Sequence, residues 1–330
     1  GGVMERSRIL GTGSAVPSRI LRNADLEALV DTSDEWITSR TGISERRVCS
    51  AGEDTATLAE EAAEKALAAA ALDPMDLDLI LVATITPAMP FPATACLLQD
   101  GLGARRAAAL DVSAACSGFI YGLAVADNFI RTGMYRTVLL VGSETLSLLT
   151  DWSDRNTCVL FGDGAGAVVL QGQRGERGVL STHLYSDGSQ WGLLMAPGGG
   201  SRHPITPELL EQRLNTIKMP NGNEVFRTAV RAMEDACIAA LKHNHLEIAD
   251  VDVVVPHQAN ARIIQALTHR LSLRPEKVIA NIARHGNTSA ASVPLALDEA
   301  VRTGKIHDGN LVLLVAFGGG LTWGSAAIRW

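Results

Sequence analysis

Short apolar runs alternate along the chain with stretches that have helical spacing. Residues 77–84, which include the apolar run 79–83, and residues 138–142 have the pattern of buried strands, and residues 60–71 form an Ala-rich helical pattern that stops before Asp73-Pro74. Continuous apolar strands are typical of a sheet that is covered on both faces. The alternation therefore predicts an α/β fold in which helices cover the sheet.

Turn residues and helix-capping residues predict the shorter elements. A strand over residues 7–12 opens the first half of the chain, and a strand over residues 165–170 closes it. Between them we expect a turn over 13–17, helices over 23–30 and 93–102, a short helix after the N-cap residues 31–33, and a polar loop over 40–47.

The second half of the chain repeats the first. Residues 72–80 match residues 246–254 without a gap, and residues 122–127 match residues 294–299. Repeated α/β units can pack about a pseudo-two-fold axis, which places one helix of each half between two sheets. The repeat predicts five layers, α/β/α/β/α, built from residues 3–172 and 173–330.

The stretch over residues 111–121 has an unusual composition. Cys116 follows a short apolar run and precedes an uncharged helical pattern in which Gly118 and Gly122 are four residues apart. We expect the helix to begin at Cys116 and the two glycines to allow close contact between the central helices. A helix N-terminus stabilises a thiolate and lowers its pKa, which favours a nucleophile. The alternative is that Cys116 is a small core side chain.

Polar residues follow the apolar runs at the corresponding loops of the two halves. His257 comes directly after the strand pattern of residues 251–255, where open α/β sheets place their ligands. Asn287 precedes a helix start and lies within one position of the residue that matches Cys116. His285 is a second candidate base, although its neighbours indicate an exposed turn.

A glycine-rich turn over residues 317–320 can present backbone N–H groups to an oxyanion. Cys116, His257 and Asn287 should therefore meet this turn where the two halves join. A thiol nucleophile with two side-chain N–H donors suits carbon–carbon bond formation from an enolate. Hydrolysis would instead require a base that activates water.

Composition and charge exclude several classes of protein. The net charge of −7 argues against a nucleic-acid partner, and no apolar run is long enough to span a membrane. The five cysteines show no CxxC spacing, which argues against a zinc site or a disulfide framework and indicates a reducing, cytoplasmic compartment. The glycines of residues 162–166 precede a strand, so they do not predict a dinucleotide site. We expect no metal.

Eight motifs spread over essentially the whole chain resemble the β-ketoacyl-ACP synthase III family, whose members have the thiolase fold. They are Val-Asp-Thr-Ser-Asp-Glu-Trp-Ile at 30–37, Arg-Thr-Gly-Ile at 40–43, Ala-Ala-Cys-Ser-Gly-Phe at 114–119, Phe-Gly-Asp-Gly-Ala-Gly-Ala at 161–167, Gly-Asn-Glu-Val-Phe at 222–226, Pro-His-Gln-Ala-Asn at 256–260, His-Gly-Asn-Thr-Ser-Ala-Ala-Ser at 285–292 and Phe-Gly-Gly-Gly at 317–320.

The resemblance implies a homodimeric condensing enzyme that uses acyl-CoA, with acetyl-CoA the expected primer, and malonyl-ACP, and needs no cofactor. Cys116 would accept the acyl group, His257 and Asn287 would stabilise the enolate, and the backbone N–H groups of Cys116 and Gly319 would hold the oxyanion. The binding positions implied are Thr32, Trp36, Arg40, Arg155, Asn223 and Asn260 for CoA; Arg262, Arg227 and Gln258 for the acyl carrier protein; and Phe91, Phe161 and Leu193 for the acyl pocket, where Phe91 would serve the partner subunit.

The residues also separate this chain from other families of the same fold. Elongating synthases have His at the position of Asn287. Thiolases use a second cysteine late in the chain, whereas no cysteine follows Cys237 here. A relative from secondary metabolism, which primes a polyketide or transfers acyl groups, remains an alternative. A catalytically inactive scaffold is a third reading, against which the intact Cys116, His257 and Asn287 argue.

Overall fold

The computed structural model describes residues 5–330 and contains two principal sheets. Their strands and those of a small two-stranded ribbon are β1 (Glu5–Ala15), β2 (Ile20–Arg22), β3 (Glu45–Arg47), β4 (Leu79–Ala83), β5 (Ala108–Val112), β6 (Thr137–Thr145), β7 (Asp163–Arg174), β8 (Gly178–Ser186), β9 (Val253–Pro256), β10 (Leu311–Gly318) and β11 (Thr322–Arg329).

The helices lie on both faces of these sheets and between them. They are α1 (Asn23–Leu26), α2 (Asp34–Thr41), α3 (Thr55–Ala70), α4 (Thr94–Leu102), α5 (Gly118–Arg131), α6 (Pro207–Glu211), α7 (Gly222–His243), α8 (Ala261–Arg270), α9 (Ile282–His285) and α10 (Ser292–Arg302). None of the helices within residues 5–330 combines the length and the apolar character that crossing a membrane requires.

The two sheets have the same topology. The first has the strand order β1-β7-β6-β4-β5 and the second β8-β11-β10-β9; in each order the first two pairs are antiparallel and the remaining pairs are parallel. A single parallel bridge between Val254 and Val278 stands where β5 stands in the first sheet. This shared order is the structural form of the sequence repeat.

Three apolar cores separate five layers. One core lies between the two sheets around α5 and α10, the second lies between the first sheet and α3 with α4, and the third lies between the second sheet and α7 with α8. The predicted α/β/α/β/α arrangement is therefore confirmed. β7 continues to Arg174 and β8 begins at Gly178, so residues 175–177 connect the two sheets.

Several local predictions were wrong because long-range pairing overrode local turn signals. A turn was predicted over residues 13–17, but residues 13–15 continue β1. They do so because its partner β7 extends through Gly164–Gly166. The expected helix over residues 23–30 ends at Leu26. Most of the expected loop over 40–47 is structured, since α2 runs to Thr41 and β3 pairs with β2.

The central helices carry equivalent buried carboxylates. Asp127 of α5 accepts a hydrogen bond from Ser7 Oγ at 2.7 Å and pairs with Arg131 at 2.8 Å. Asp298 of α10 accepts from two β1 hydroxyls and pairs with Arg302 at 2.8 Å. The sequence match had set Asp127 opposite Glu299, so it was one residue out of register here.

Close approach in the centre depends on glycines other than those predicted. A Cβ on Gly142 of β6 would lie 2.1 Å from the carbonyl oxygen of Ala290, so only glycine lets the start of α10 reach the first sheet. Gly118 does face Ala290, at 3.2 Å from a built Cβ to the alanine Cβ. Gly122 instead packs on Leu140 of β6, so it does not serve the helix–helix contact.

Candidate active site

The strand β5 leads into a tight turn that carries Cys116. A 3-10 turn spans Ala115–Ser117, and α5 begins at Gly118, two residues later than predicted. Ala115 has φ +50°, a left-handed conformation that is rare outside glycine. The corresponding turn before α10 begins at Ser289, which has φ +52°. Cys116 therefore corresponds to Ala290, three residues beyond Asn287.

The turn between β10 and β11 packs directly against Cys116. A Cβ on Gly318 would lie 2.6 Å from the Cys116 nitrogen, so this backbone contact requires glycine. Two hydrogen bonds fasten the turns together: Thr322 Oγ1 donates to the Ala114 carbonyl at 2.9 Å, and Ser117 Oγ donates to the Thr322 carbonyl at 3.0 Å. Gly319 then lies beside Cys116 in the same cavity.

The electrostatic environment of Cys116 differs from the prediction. Burial raises the pKa of the thiol to about 12, and the charge of Glu144 adds to this effect. The Ser289 hydroxyl and the Cys116 backbone N–H lower the pKa but do not offset burial. The expectation of a low pKa from a helix end is therefore wrong, because the thiol is desolvated as well as placed at a helix start.

His257 follows β9 and is almost fully buried, at 1% exposure. Its backbone N–H donates to the Val315 carbonyl at 2.8 Å, which fixes it to the end of β10. Its Nδ1 lies 2.5 Å from Ser292 Oγ, the hydroxyl at the start of α10. Burial lowers the pKa of His257 to about 3, so the imidazole is neutral near pH 7.

Asn287 is held in one orientation by the backbone. Its Oδ1 accepts a hydrogen bond from the Ser289 N–H at 2.8 Å, and its own N–H donates to the Leu160 carbonyl at 2.7 Å. Only an oxygen can accept from Ser289 N–H, so the Asn287 Nδ2 is the atom left for another partner. Asn287 is thus an oriented N–H donor.

These residues line one apolar cavity of about 300 Å³. Cys116, His257, Asn287 and Gly319 all contribute to its wall, as does Asn260. His285, the second candidate base, lines a different surface pocket with Asp298 and Glu61. The structure therefore brings together the predicted cysteine, histidine and asparagine and leaves His285 outside.

Four of the predicted CoA positions, Trp36, Arg40, Arg155 and Asn260, form a connected group beside this cavity. Arg40 and Arg155 stack on Trp36, with their Cζ atoms 4.6 and 4.9 Å from the ring centroid. Arg155 also donates to the Asp31 carbonyl at 3.2 Å. Asn260 Nδ2 donates to the Arg40 carbonyl at 3.3 Å, which connects this group to the cavity wall. Thr32 is half-buried and Asn223 is exposed.

The predicted carrier-protein residues divide into two exposed arginines and one buried amide. Arg227 on α7 and Arg262 on α8 are exposed. Gln258 is 1% exposed, and its amide donates to the Pro256 and Ile279 carbonyls and accepts from the Asn281 N–H. Gln258 thus supports the loop after β9, and its prediction as a surface contact is wrong.

The acyl-pocket predictions are also divided. Phe161 lines the cavity, whereas Leu193 packs on the core between the second sheet and α7, and its neighbour Leu194 lines the cavity instead. Phe91 lies outside the cavity of its own chain and is 85% exposed. A one-residue shift of this kind is invisible in sequence because residues 188–193 form an irregular 3-10 segment without regular periodicity.

Two residues of the site were missed by sequence reasoning. Ser292 contacts His257 directly. Glu144 is fully buried, and its Oε1 accepts from Thr84 Oγ1 at 2.6 Å and from the Ile85 N–H at 2.8 Å. A glutamate inside an apolar strand pattern was the only available signal for the second residue.

Comparisons with known proteins agree with this geometry. A family model described as 3-Oxoacyl-[acyl-carrier-protein (ACP)] synthase III matches residues 110–188, and the model of the C terminal of that family matches residues 241–330. A β-ketoacyl-[acyl-carrier-protein] synthase III of Caldanaerobacter subterraneus subsp. tengcongensis is 55% identical over 322 residues, which cover 98% of this chain and 97% of that protein.

Solved structures show the same similarity. The 3-oxoacyl-[acyl-carrier-protein] synthase III from Aquifex aeolicus VF5 superposes with a TM-score of 0.92 at 48% identity, covering 98% of this chain and 100% of that one. The priming β-ketosynthase from the R1128 polyketide biosynthetic pathway superposes with a TM-score of 0.90 at 35% identity, covering 99% and 98%. Because these similarities extend over nearly the full length, the chain belongs to the β-ketoacyl-[acyl-carrier-protein] synthase III family of acyl-transferring condensing enzymes and has its thiolase-like fold.

Proposed function

We propose that this chain transfers an acyl group from acyl-CoA to Cys116 and then condenses it with malonyl-ACP to give β-ketoacyl-ACP, the step that initiates fatty acid synthesis. The observation that carries the proposal is that three groups line the same apolar cavity: the Cys116 thiol, the neutral imidazole of His257 and the oriented amide of Asn287. This set provides a nucleophile and an oxyanion site without a base that activates water.

In the first step, Cys116 Sγ attacks the thioester carbonyl carbon of acyl-CoA. The new C–S bond forms as the bond to CoA breaks, and the proton of the thiol passes to the departing CoA sulfur. The backbone N–H groups of Cys116 and Gly319 hold the tetrahedral oxyanion, since the β10–β11 turn is packed against the Cys116 backbone. The step neither consumes nor releases a proton overall.

In the second step, malonyl-ACP loses CO2 and the electron pair passes into an enolate. His257 and Asn287 donate hydrogen bonds to the thioester oxygen on which the negative charge develops. The enolate carbon attacks the acyl carbon on Cys116, and collapse of the intermediate expels the Cys116 thiolate, which takes up a proton. Loss of CO2 generates the carbon nucleophile, so we infer that the reaction needs no metal or other cofactor.

We propose that CoA binds over Trp36 and reaches the cavity beside Asn260. Thr32, Arg40 and Asn223 complete the outer part of this site. Arg155 lies 4.9 Å from the Trp36 centroid, and a base stacked between them requires about 7 Å, because each face needs about 3.5 Å. Arg155 therefore moves outward by about 2 Å when the adenine enters.

The acidic carrier protein would dock on Arg227 and Arg262. Both arginines are exposed on α7 and α8, beside the wall residues Phe226 and Ile263 of the cavity. Cations at the mouth of an enzyme with net charge −7 favour an anionic macromolecular substrate locally. We further propose a homodimer in which the exposed Phe91 contacts the second subunit, and a cytoplasmic location, which five free thiols favour.

A priming role in polyketide synthesis is the second candidate, favoured by the similarity to the R1128 priming β-ketosynthase. The two functions differ in the primer and in the carrier protein, while the Cys116 chemistry is the same. Incubation with malonyl-ACP of fatty acid synthesis and a series of acyl-CoA primers distinguishes them. Rapid formation of β-ketoacyl-ACP from acetyl-CoA supports initiation of fatty acid synthesis, and turnover only with a polyketide carrier protein contradicts it.

The separate roles of the site residues are tested by measuring the two steps independently. CoA release in the absence of malonyl-ACP reports acyl transfer, and CO2 release from malonyl-ACP reports decarboxylation. We expect Cys116→Ala to abolish acyl transfer, and His257→Ala to reduce decarboxylation far more than CoA release. Equal loss of both steps in His257→Ala contradicts the assignment of His257 to the enolate.

A further inference from the structure

Among residues 5–330, the Ser292 hydroxyl makes two hydrogen-bond contacts. Its Oγ lies 2.5 Å from His257 Nδ1 and accepts from the Gln258 backbone N–H at 3.2 Å. The residue is 1% exposed, so no solvent reaches the hydroxyl in the closed interior between α10 and the loop after β9. These two contacts decide where its proton lies.

The Gln258 backbone N–H is a donor and can occupy only a lone pair of Ser292 Oγ. The hydroxyl proton then needs an acceptor, because an unpaired buried donor costs about 1–3 kcal/mol. Within residues 5–330, Ser292 Oγ forms no hydrogen bond with a carbonyl or carboxylate oxygen. His257 Nδ1 is therefore the acceptor of the hydroxyl proton.

His257 carries only one ring proton. Burial lowers its pKa to about 3, and no carboxylate is bonded to it that would favour the imidazolium. A neutral imidazole that accepts at Nδ1 has its proton on Nε2. His257 Nε2 has no protein partner within residues 5–330, and the residue lines the cavity beside Cys116 and Asn287.

We propose that Ser292 is a positioning residue that holds His257 in the Nε2–H tautomer and so aims an N–H donor at the thioester oxygen of the malonyl substrate. Gln258 contributes by fixing the lone pair of the serine, which gives this buried residue a role different from carrier-protein binding. The catalytic role of this N–H donor rests on the proposed function, whereas the tautomer of His257 does not depend on it.

The tautomer also limits what His257 can do. An imidazole whose Nε2 is protonated and whose Nδ1 is occupied has no free lone pair for the proton of Cys116. His257 then acts as a donor in condensation and not as the base of acyl transfer. Loss of Ser292 should consequently affect the two steps unequally.

Nitrogen NMR of enzyme labelled with ¹⁵N-histidine tests the tautomer directly. The chain has eight histidines, and the His257 signals are assigned by their absence in His257→Gln. We expect an unprotonated Nδ1 and a protonated Nε2 in the wild-type enzyme, unchanged between pH 6 and pH 8. A protonated Nδ1 in this spectrum overturns the proposal, and this measurement requires no Ser292 variant to fold.

Ser292→Ala tests the consequence, with Ser325→Ala as its matched control. Ser325 is equally buried and donates through Oγ to the Ala236 carbonyl, outside the cavity. We expect Ser292→Ala to lose the single Nε2–H tautomer and to reduce decarboxylation by about 10- to 100-fold, while CoA release stays within about threefold. Ser325→Ala should leave both rates and the His257 signals unchanged.

Two results contradict the proposal. One is that Ser292→Ala keeps the Nε2–H tautomer together with the wild-type decarboxylation rate. The other is that CoA release and decarboxylation fall equally, which indicates a structural role only. Failure of the proposed function is separate, because it appears as absent condensation by wild-type enzyme whatever tautomer the spectrum shows.

Discussion

Two effects act on the Cys116 thiol in opposite directions. The start of α5 and the Ser289 hydroxyl favour the thiolate, whereas burial and the charge of Glu144 favour the thiol. Burial is the larger effect, so the resting enzyme holds a protonated nucleophile.

Alkylation by iodoacetamide should therefore be slow at pH 7. The thiolate is the reactive form, and with a pKa raised to about 12 its fraction grows about tenfold for each pH unit between 7 and 9. We expect the rate of Cys116 modification, followed by peptide mass spectrometry, to rise by this factor. An inflection of the rate near pH 7 would show a low-pKa thiolate and contradict the dominance of burial.

Asn287→Asp tests the donor role at nearly constant shape. The Oδ1 that accepts from the Ser289 N–H is kept, but the Nδ2 donor is replaced by a charged oxygen facing the enolate. Removing one oxyanion donor typically costs about 10²- to 10³-fold in rate. We expect the rate of decarboxylation to fall at least that far while the rate of CoA release changes much less. An equal fold-loss in both rates, relative to wild type, would contradict the assignment of Asn287 to the enolate site.

The central helices are anchored to β1 through buried charges. Asp298 accepts from Thr12 Oγ1 at 2.8 Å and from Ser14 Oγ at 2.6 Å, and it pairs with Arg302 one turn later. Asp127 of α5 uses Ser7 and Arg131 in the same way. Both central helices are thus fixed to the edge strand of the first sheet by the same kind of contact in each repeat.

Asp298→Ala should destabilise the fold strongly. The substitution leaves the hydroxyls of Thr12 and Ser14 without their acceptor, and each unpaired buried donor costs about 1–3 kcal/mol, whereas the Arg302 side chain is 54% exposed and can be solvated. Asp308→Ala is the control, because its pair with Arg177 has an aspartate side chain that is 82% exposed, and such pairs contribute about 0–1 kcal/mol. Urea denaturation measures both, and equal free energies of unfolding would contradict the anchoring role.

At the scale of the whole molecule, two histidines couple folding to pH. Burial lowers the pKa of His257 to about 3 and that of His285 to about 4, from an ordinary value near 6.5. The unfolded chain therefore binds more protons than the native chain between these values. Each histidine contributes stability that is fully present above pH 6.5 and is lost as the pH falls through that window.

The two histidines by themselves should therefore lower the free energy of unfolding on acidification, whereas the buried carboxyls of Asp127, Glu144 and Asp163, whose pKa values burial raises, act in the opposite direction. One pKa unit corresponds to 1.36 kcal/mol, so each histidine should cost about 2 kcal/mol between pH 7 and pH 5. His285→Gln should remove its share of this pH dependence, since His285 lies outside the Cys116 cavity. Urea midpoints at pH 7, 6 and 5 provide the measurement, and an unchanged slope in His285→Gln excludes its contribution.

The fold could be predicted largely from local patterns. Continuous apolar strands, helical periodicity and the repeat together determine five layers, because each reflects which faces of an element must leave water. The pairing of β2 with β3 and the extension of β1 could not be predicted in this way, because their partners are distant in sequence. Cys116, His257 and Asn287 were identifiable because each stands directly after or before a strongly patterned element.

What the sequence by itself determined is thus the layer order, the repeat and the set of candidate reacting side chains. The tertiary structure decided the protonation and direction of those side chains. The raised pKa of Cys116, the burial of Gln258 and the contact of Ser292 with His257 all depend on neighbours from remote segments. Desolvation and hydrogen-bond direction are properties of that three-dimensional environment, and no local pattern of residues encodes them.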